Sequence, residues 1–268
     1  MKNISDEASL LSYLNSEDSK EKISILKKLG NSDDEILRDN KNLRVLLSRF
    51  LEDADEDVRY EAYRTLHKLG DKNGFKNLIL ALDSPNVEVC IEALNALRYI
   101  ADKKALDALL KKLEDNSPKV RFLTAFALLS LNSKKTITPL IATLKDADST
   151  VRGVAAFALG RLGNKRAVKA LINLLKDEST EVIVDTVHAL RELGDNQAVE
   201  PLIKLLQSEK PEIRGATCLA LGQLGDITTI PALEYLAVND KVWIDETLTV
   251  SQMANDAIGK IKERVKIL

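Results

Sequence analysis

The sequence predicts an all-α solenoid, a superhelical stack of about eight antiparallel helix pairs built from 31-residue repeats. Three observations predict it. Val58, Val89, Val120, Val151, Val182 and Ile213 recur every 31 residues, and a fixed period of ~20–50 residues marks an array of stacked units. Behind each anchor, apolar residues follow at offsets 4, 8 and 11, from Ala62, Leu66 and Leu69 to Thr217, Leu221 and Leu224. Steps of three and four lie on one stripe of an α-helix. Finally, hydrophobic residues make up 45% of the chain but aromatic residues only 4%. The core must therefore be built from Leu, Ile, Val and Ala, a mixture suited to close-packed helices.

Each unit reads as helix A, turn, helix B, turn. Gly70, Gly163, Gly194 and Gly225 end helix A, where glycine supplies a left-handed residue at little steric cost. Asp71, Asp102, Asn164, Asp195 and Asp226 follow and suit the N-cap of helix B. Helix B is "ALDALLKKL", "TPLIATL", "AVKALINLL" and "AVEPLIKLL", with Pro139 and Pro201 in or near its first turn. "DSPN" and "EDNSP" return the chain to the next helix A. The repeats are expected to form a single domain over 1–268. Residues 1–54 are a divergent N-terminal unit with the insertion "NSDDEILRDNKN", 55–237 hold six regular repeats, and 238–268 are a divergent C-terminal unit. The insertion "AVNDKVWIDETL" in the last of these carries the only tryptophan, Trp243. Altered end units are expected because only one side of each has a neighbour.

With 39 basic and 41 acidic residues, the net charge of −2 speaks against nucleic acid, which is met by a basic excess. No apolar run approaches ~18 residues, so no membrane span is expected. "MKNISDEASLLSYLNSEDSK" lacks the apolar core of a signal peptide. A cytoplasmic location follows, with Cys90 and Cys218 as buried apolar residues.

"VRGVAAFALGRLGN" and "IRGATCLALGQLGD" resemble HEAT-like repeats of the short phycobilisome-lyase type, over about residues 55–237. The tail "ALGQLGDITTIPALEYLAVNDKVW" is similar to the ends of cyanobacterial members. The resemblance implies one of two functions. The first is a non-catalytic adaptor that binds another protein and needs no cofactor. The alternative is a phycobilin lyase or chaperone-like factor for phycobiliproteins, with bilin as the handled group and the chemistry at the partner's cysteine. The paired His-Glu dipeptides of iron-binding HEAT-like hydroxylases are missing, since His67 precedes Lys68 and His188 precedes Ala189.

Four sets of residues are candidates for function. Lys72, Lys103, Lys134 and Lys165 recur at the A–B turns and would meet an acidic partner surface; cations also suit the C-terminus of helix A. Phe126 and Phe157 stand at offset 6 of neighbouring units, with Leu123 and Val154 at offset 3. If exposed, they form an apolar docking patch. Lys111, Asn173, Lys204 and Tyr235 fall at outward positions of helix B and vary between units, as expected of a partner-binding face. Asp185, His188 and Glu192 share one helix face, but a metal or acid–base site requires more convergent groups, so no catalytic or metal residue is assigned. Arg59, Arg121, Arg152 and Arg214 at offset 1 read as a structural clamp, with turn acids such as Asp148 as partners for Arg152.

Overall fold

The computed structural model describes residues 16–31, 40–244 and 248–267. The first 15 residues, most of the N-terminal insertion and part of the Trp243 insertion lie outside these. The described residues are nearly all helical. They form α1 (Ser19–Gly30), α2 (Lys41–Ser48), α3 (Glu56–Lys68), α4 (Lys72–Ala81), α5 (Val87–Ile100), α6 (Leu106–Lys112), α7 (Pro118–Ser130), α8 (Ile137–Thr143), α9 (Ser149–Arg161), α10 (Val168–Leu174), α11 (Thr180–Leu193), α12 (Val199–Leu205), α13 (Pro211–Leu224), α14 (Ile230–Asn239) and α15 (Val250–Ile267). Odd-numbered helices are the A type and even-numbered ones the B type. α15 ends the series without a B partner among the described residues. The helices divide into two compact units, Met1–Asp115 and Asn116–Leu268.

In the first unit α1 lies against α3. Ile25, Leu26 and Leu29 meet Val58, Ala62 and Leu66, with Leu47 and Phe50 closing the cluster. Thr65 Oγ1 donates to the Leu26 carbonyl at 3.0 Å, so this buried hydroxyl is satisfied. In α5 the register of burial differs from the sequence expectation. The anchor Val89 is exposed, and Cys90 is buried instead. Cys90 occupies the column that holds arginine in α3, α7, α9 and α13. An arginine there must keep its guanidinium at the turns, whereas a small thiol is free to pack inward.

In the second unit each A helix stacks on the next, α7 on α9, α9 on α11, α11 on α13 and α13 on α15. Small residues set the spacing. A Cβ at Gly160 would stand 2.7 Å from the Ala189 Cα, and one at Gly222 would stand 3.0 Å from the Ala257 Cα. A glycine in a helix interior costs about 1 kcal/mol relative to alanine, and here that cost is offset by close backbone approach.

The turn chemistry follows the sequence in most units. Asp71 accepts from the Gly74 amide, Asp102 from Lys104, Asn164 from Arg166, Asp195 from Gln197 and Asp226 from Thr228. In α6, α8, α10, α12 and α14 a three-residue 3₁₀ turn separates the cap from the α-helix, so most B helices are short. Gly70, Gly163 and Gly194 take the left-handed conformation, as do Ala101 and Asn132 where the column lacks glycine. Gly225 departs from the expectation. Its φ is −68° and its backbone is extended. A Cβ there would press on the Leu221 carbonyl oxygen at 2.7 Å, so glycine serves space at this position, not handedness.

The arginine column forms the clamp, with a different acid from the one expected. Arg152 Nε and Nη2 donate to Asp177 at 2.7 and 2.8 Å, and Nη1 donates to the carbonyls of Asp146 and Ala147. Asp148 instead caps α9. One guanidinium thus joins the turn before its helix to the turn after the following B helix. Arg121 repeats the fork on Asp146 at 2.7 Å for both bonds. Arg214 donates to Asp240 at 2.6 Å and to the carbonyls of Ser208 and Glu209. In the first unit Arg59, with Ser84 at the matching position, reaches Glu92 at 3.2 Å. The block between α11 and α13 has no rung. Ile183 replaces the arginine and Ser208 replaces the acid, both at once.

The Arg121 and Arg152 side chains hold Asp146 and Asp177 below the usual carboxylate value of 3.8. Their contribution to stability is present above that value and is lost as pH falls through the lowered ones. Removing one partner of a buried pair costs about 3–5 kcal/mol. Arg152→Ala is therefore expected to unfold at markedly lower urea at pH 7, with the gap to wild type narrowing in acid. An equal midpoint at pH 7 would show that the clamp contributes nothing.

Candidate functional site

The exposed surface of the second unit carries an apolar groove across α7, α9 and α11. Its volume is about 410 Å³, and Phe122, Phe126, Val154, Phe157 and Val182 form its apolar lining. The rings form a row. Phe122 meets Phe126 edge-on at 5.1 Å between centroids, and Phe126 meets Phe157 at 6.0 Å. Phe157 is 41% exposed, well beyond what a core ring shows. Phe122 and Phe126 are half-buried. Lys119 Nζ lies 5.6 Å from the Phe122 centroid, within the range of cation–π attraction.

The groove exists because of what α9 lacks. Gly153 lines it, and a Cβ at that position would stand 2.7 Å from Asp185 Oδ2. Any side chain there would displace Asp185 from its place. Asp185 forms the groove wall together with Glu181, Ser179 and Thr150. Burial raises the Asp185 carboxyl above its ordinary value, against a smaller opposing effect from His188. Burial likewise lowers His188. Glu181 accepts from Ser179 Oγ at 2.6 Å, which holds its carboxyl low. A second cavity shares Glu181 and Asp185 and extends to Lys210 and Glu212 at the start of α13. It opens beside Val184, in the block where the arginine rung is missing.

The structure places the other sequence candidates as follows. Leu123 and Val154 are buried, 8% and 5% exposed, so they cannot form an exposed patch with the phenylalanines. Val154 still lines the groove, and Leu123 is not part of its lining. Lys134 and Lys165 are exposed on the 3₁₀ turns of the second unit; Lys165 lies 3.8 Å from Asp195. Lys72 and Lys103 are exposed in the first unit, as is Lys111 on α6. Asn173, Lys204 and Tyr235 are exposed on α10, α12 and α14. Tyr235 lines a cavity with Ile203, Leu206 and Leu236. Asp185, His188 and Glu192 all lie on α11, but among the described residues no group of three His, Cys, Asp or Glu side chains has the geometry to hold a metal ion. Trp243 is exposed and pairs across to Thr249 in an isolated bridge. Among the described residues no helix is long and apolar enough to cross a membrane. Sequence reasoning missed Phe122, Gly153 and Asp185 as groove residues. The glycine beside Arg152 was the available signal.

Comparison with known proteins bears on the fold. The HEAT-repeat family profile matches residues 75–159, 137–202 and 168–254, which together span most of the chain. The chain belongs to the HEAT-repeat family. No curated protein matches it. Among solved structures, YibA of Escherichia coli is similar with 24% identity and a TM-score of 0.55, over 96% of this chain and 92% of that one. Importin beta is similar with 13% identity and a TM-score of 0.56, over 96% of this chain and 40% of that one. These likenesses carry the α-solenoid fold alone. The narrower phycobilisome-lyase type is not supported by them, and the bilin-handling alternative is not favoured.

The Asp185 carboxyl is raised by burial, and it has no hydrogen-bond partner among the described residues. A raised acid penalises folding above its folded pKa, and the penalty vanishes below the unfolded value near 3.8. Lys210 and Glu212 of α13 face it along with Glu181 and His188. Asp185→Asn is expected to raise the thermal midpoint at pH 7 and to leave it unchanged near pH 3. A lower midpoint at pH 7 would mean that the carboxylate is stabilising where it stands.

Proposed function

We propose that this chain is a non-catalytic protein-interaction scaffold that holds a partner protein against the exposed face of α7, α9 and α11. The observation that carries this reading is the open aromatic groove around Phe157. An exposed ring, Phe157, beside two half-buried ones in an apolar hollow rimmed by polar side chains is the surface chemistry of a docking site. Aromatic anchors supply most of the energy of such contacts. Membership of the HEAT-repeat family supports the same reading, because stacked helix pairs present extended surfaces for other chains. Lys134, Lys135, Lys165 and Arg166 offer a separate, salt-sensitive contact for acidic side chains of a partner.

Capture of partners from the native cell extract, followed by identification by mass, tests the proposal. Phe157→Asp is expected to lower capture of the main partner about tenfold while leaving the thermal midpoint within about 2 °C. Loss of capture in Tyr235→Asp but not in Phe157→Asp would move the contact to the B-helix face and overturn the assignment.

A further inference from the structure

We infer that the segment seated in this groove is basic: an arginine beside an apolar side chain, presented by the partner protein. The inference rests on the groove being the docking surface, and it adds the chemistry of the occupant.

Charge complementarity carries the argument. Asp185 stands at the junction of two cavities, with Glu181 on both linings. Among the described residues Asp185 makes no hydrogen bond and no salt bridge, and His188 offsets the burial of its half-buried side chain only in part. A carboxylate held partly away from water without a partner is unfavourable for the free protein. Such a group is satisfied when a ligand brings the donor. Glu212 adds a third acid on the second cavity, against Lys210 there and Lys119 at the far end of the ring row, so the end of the hollow around Asp185 is acidic despite a nearly neutral chain.

The aromatic row selects among cations. Phe157 presents its ring to solvent beside Asp185 in the same cavity. A guanidinium can stack on a ring face and donate two hydrogen bonds in its own plane to a carboxylate. An ammonium is a more strongly hydrated point charge and gives up more on entering. The row already attracts a cation at its far end, where Lys119 lies over Phe122. The remaining hollow offers apolar contact from Phe126 and Val154, which sets the flanking side chain. Gly153 is the specificity position, since its missing side chain leaves the room in which Asp185 meets the ligand.

The test is a display library of random short peptides panned against the full chain, with the enriched sequences then synthesised and titrated by fluorescence polarisation. The expected result is enrichment of arginine next to Leu, Ile or Phe. Affinity of the synthetic peptide should fall about tenfold or more in Asp185→Asn and in Phe157→Ala. It should be unchanged in Lys134→Glu. Because Asp185→Asn is expected to be at least as stable as wild type, weaker binding in it is not a folding defect. Replacing the peptide arginine by lysine should weaken binding less than replacing it by glutamine. Enrichment of acidic peptides that depend on Lys134 would overturn the inference, as would peptides of any charge whose binding ignores Asp185. Failure of the inference alone would leave cellular capture dependent on Phe157, whereas failure of the docking surface itself would leave capture intact in Phe157→Asp.

Discussion

A single guanidinium between two turns sets the geometry of the second unit. Arg152 holds Asp146 and Ala147 by their carbonyls and Asp177 by its carboxylate. Both side chains are largely shielded from water, so each arginine fixes where one unit ends relative to the start of the next. Stacking of the A helices then brings small residues into register, with Gly160 on Ala189 and Gly222 on Ala257. Close backbone approach tolerates no sliding, because interiors packed at crystal density transmit any shift. Polar bonds at the turns and apolar contact along the helices thus specify the same arrangement.

This division of labour frees part of the surface. The turns and the A–A interfaces hold the stack, so side chains at offset 6 are not required for it. Phe126, Phe157 and His188 occupy that column in successive helices. Gly153 opens a hollow beside the first two of these, and Asp185 leans into it. The missing rung between α11 and α13 adjoins the same place. There Ile183 and Ser208 stand for arginine and aspartate, and the second cavity opens next to Val184. The least clamped block of the unit therefore borders the second cavity.

The fold was legible because periodicity is a property of the sequence. The 31-residue period, the A-helix stripe, the B-helix caps and three of the four glycine C-caps could all be read directly. Gly225 was misread because its neighbours Leu221 and Thr229, not its dihedral angles, exclude a side chain. The arginine clamp was legible as a clamp but not in its pairing. Asp148 is nearer to Arg152 in sequence, yet it is committed to the N-terminus of α9, and Asp177 arrives only after the B helix has returned the chain. The candidate groove was half legible. The outward column announced Phe126 and Phe157, but Leu123 and Val154 were placed on the surface because helix-face geometry alone does not say where the next helix sits. Asp185 was singled out only beside His188 and Glu192 on its own helix face, because its place in the groove depends on an absent side chain one helix away.

The most direct test of the turn-to-turn clamp is to build the missing rung. In Ser208 the hydroxyl already accepts from the Lys210 amide at 3.3 Å, as Asp177 accepts from Ser179 in the neighbouring block. The matching arginine position is Ile183. A double-mutant cycle with Ile183→Arg and Ser208→Asp, read by urea unfolding, measures the pair. The expected result is a favourable coupling energy of about 1–3 kcal/mol, with the double variant more stable than the sum of the single ones implies. Strict additivity would contradict the account, because the same two residue types at the same two positions would then hold nothing together.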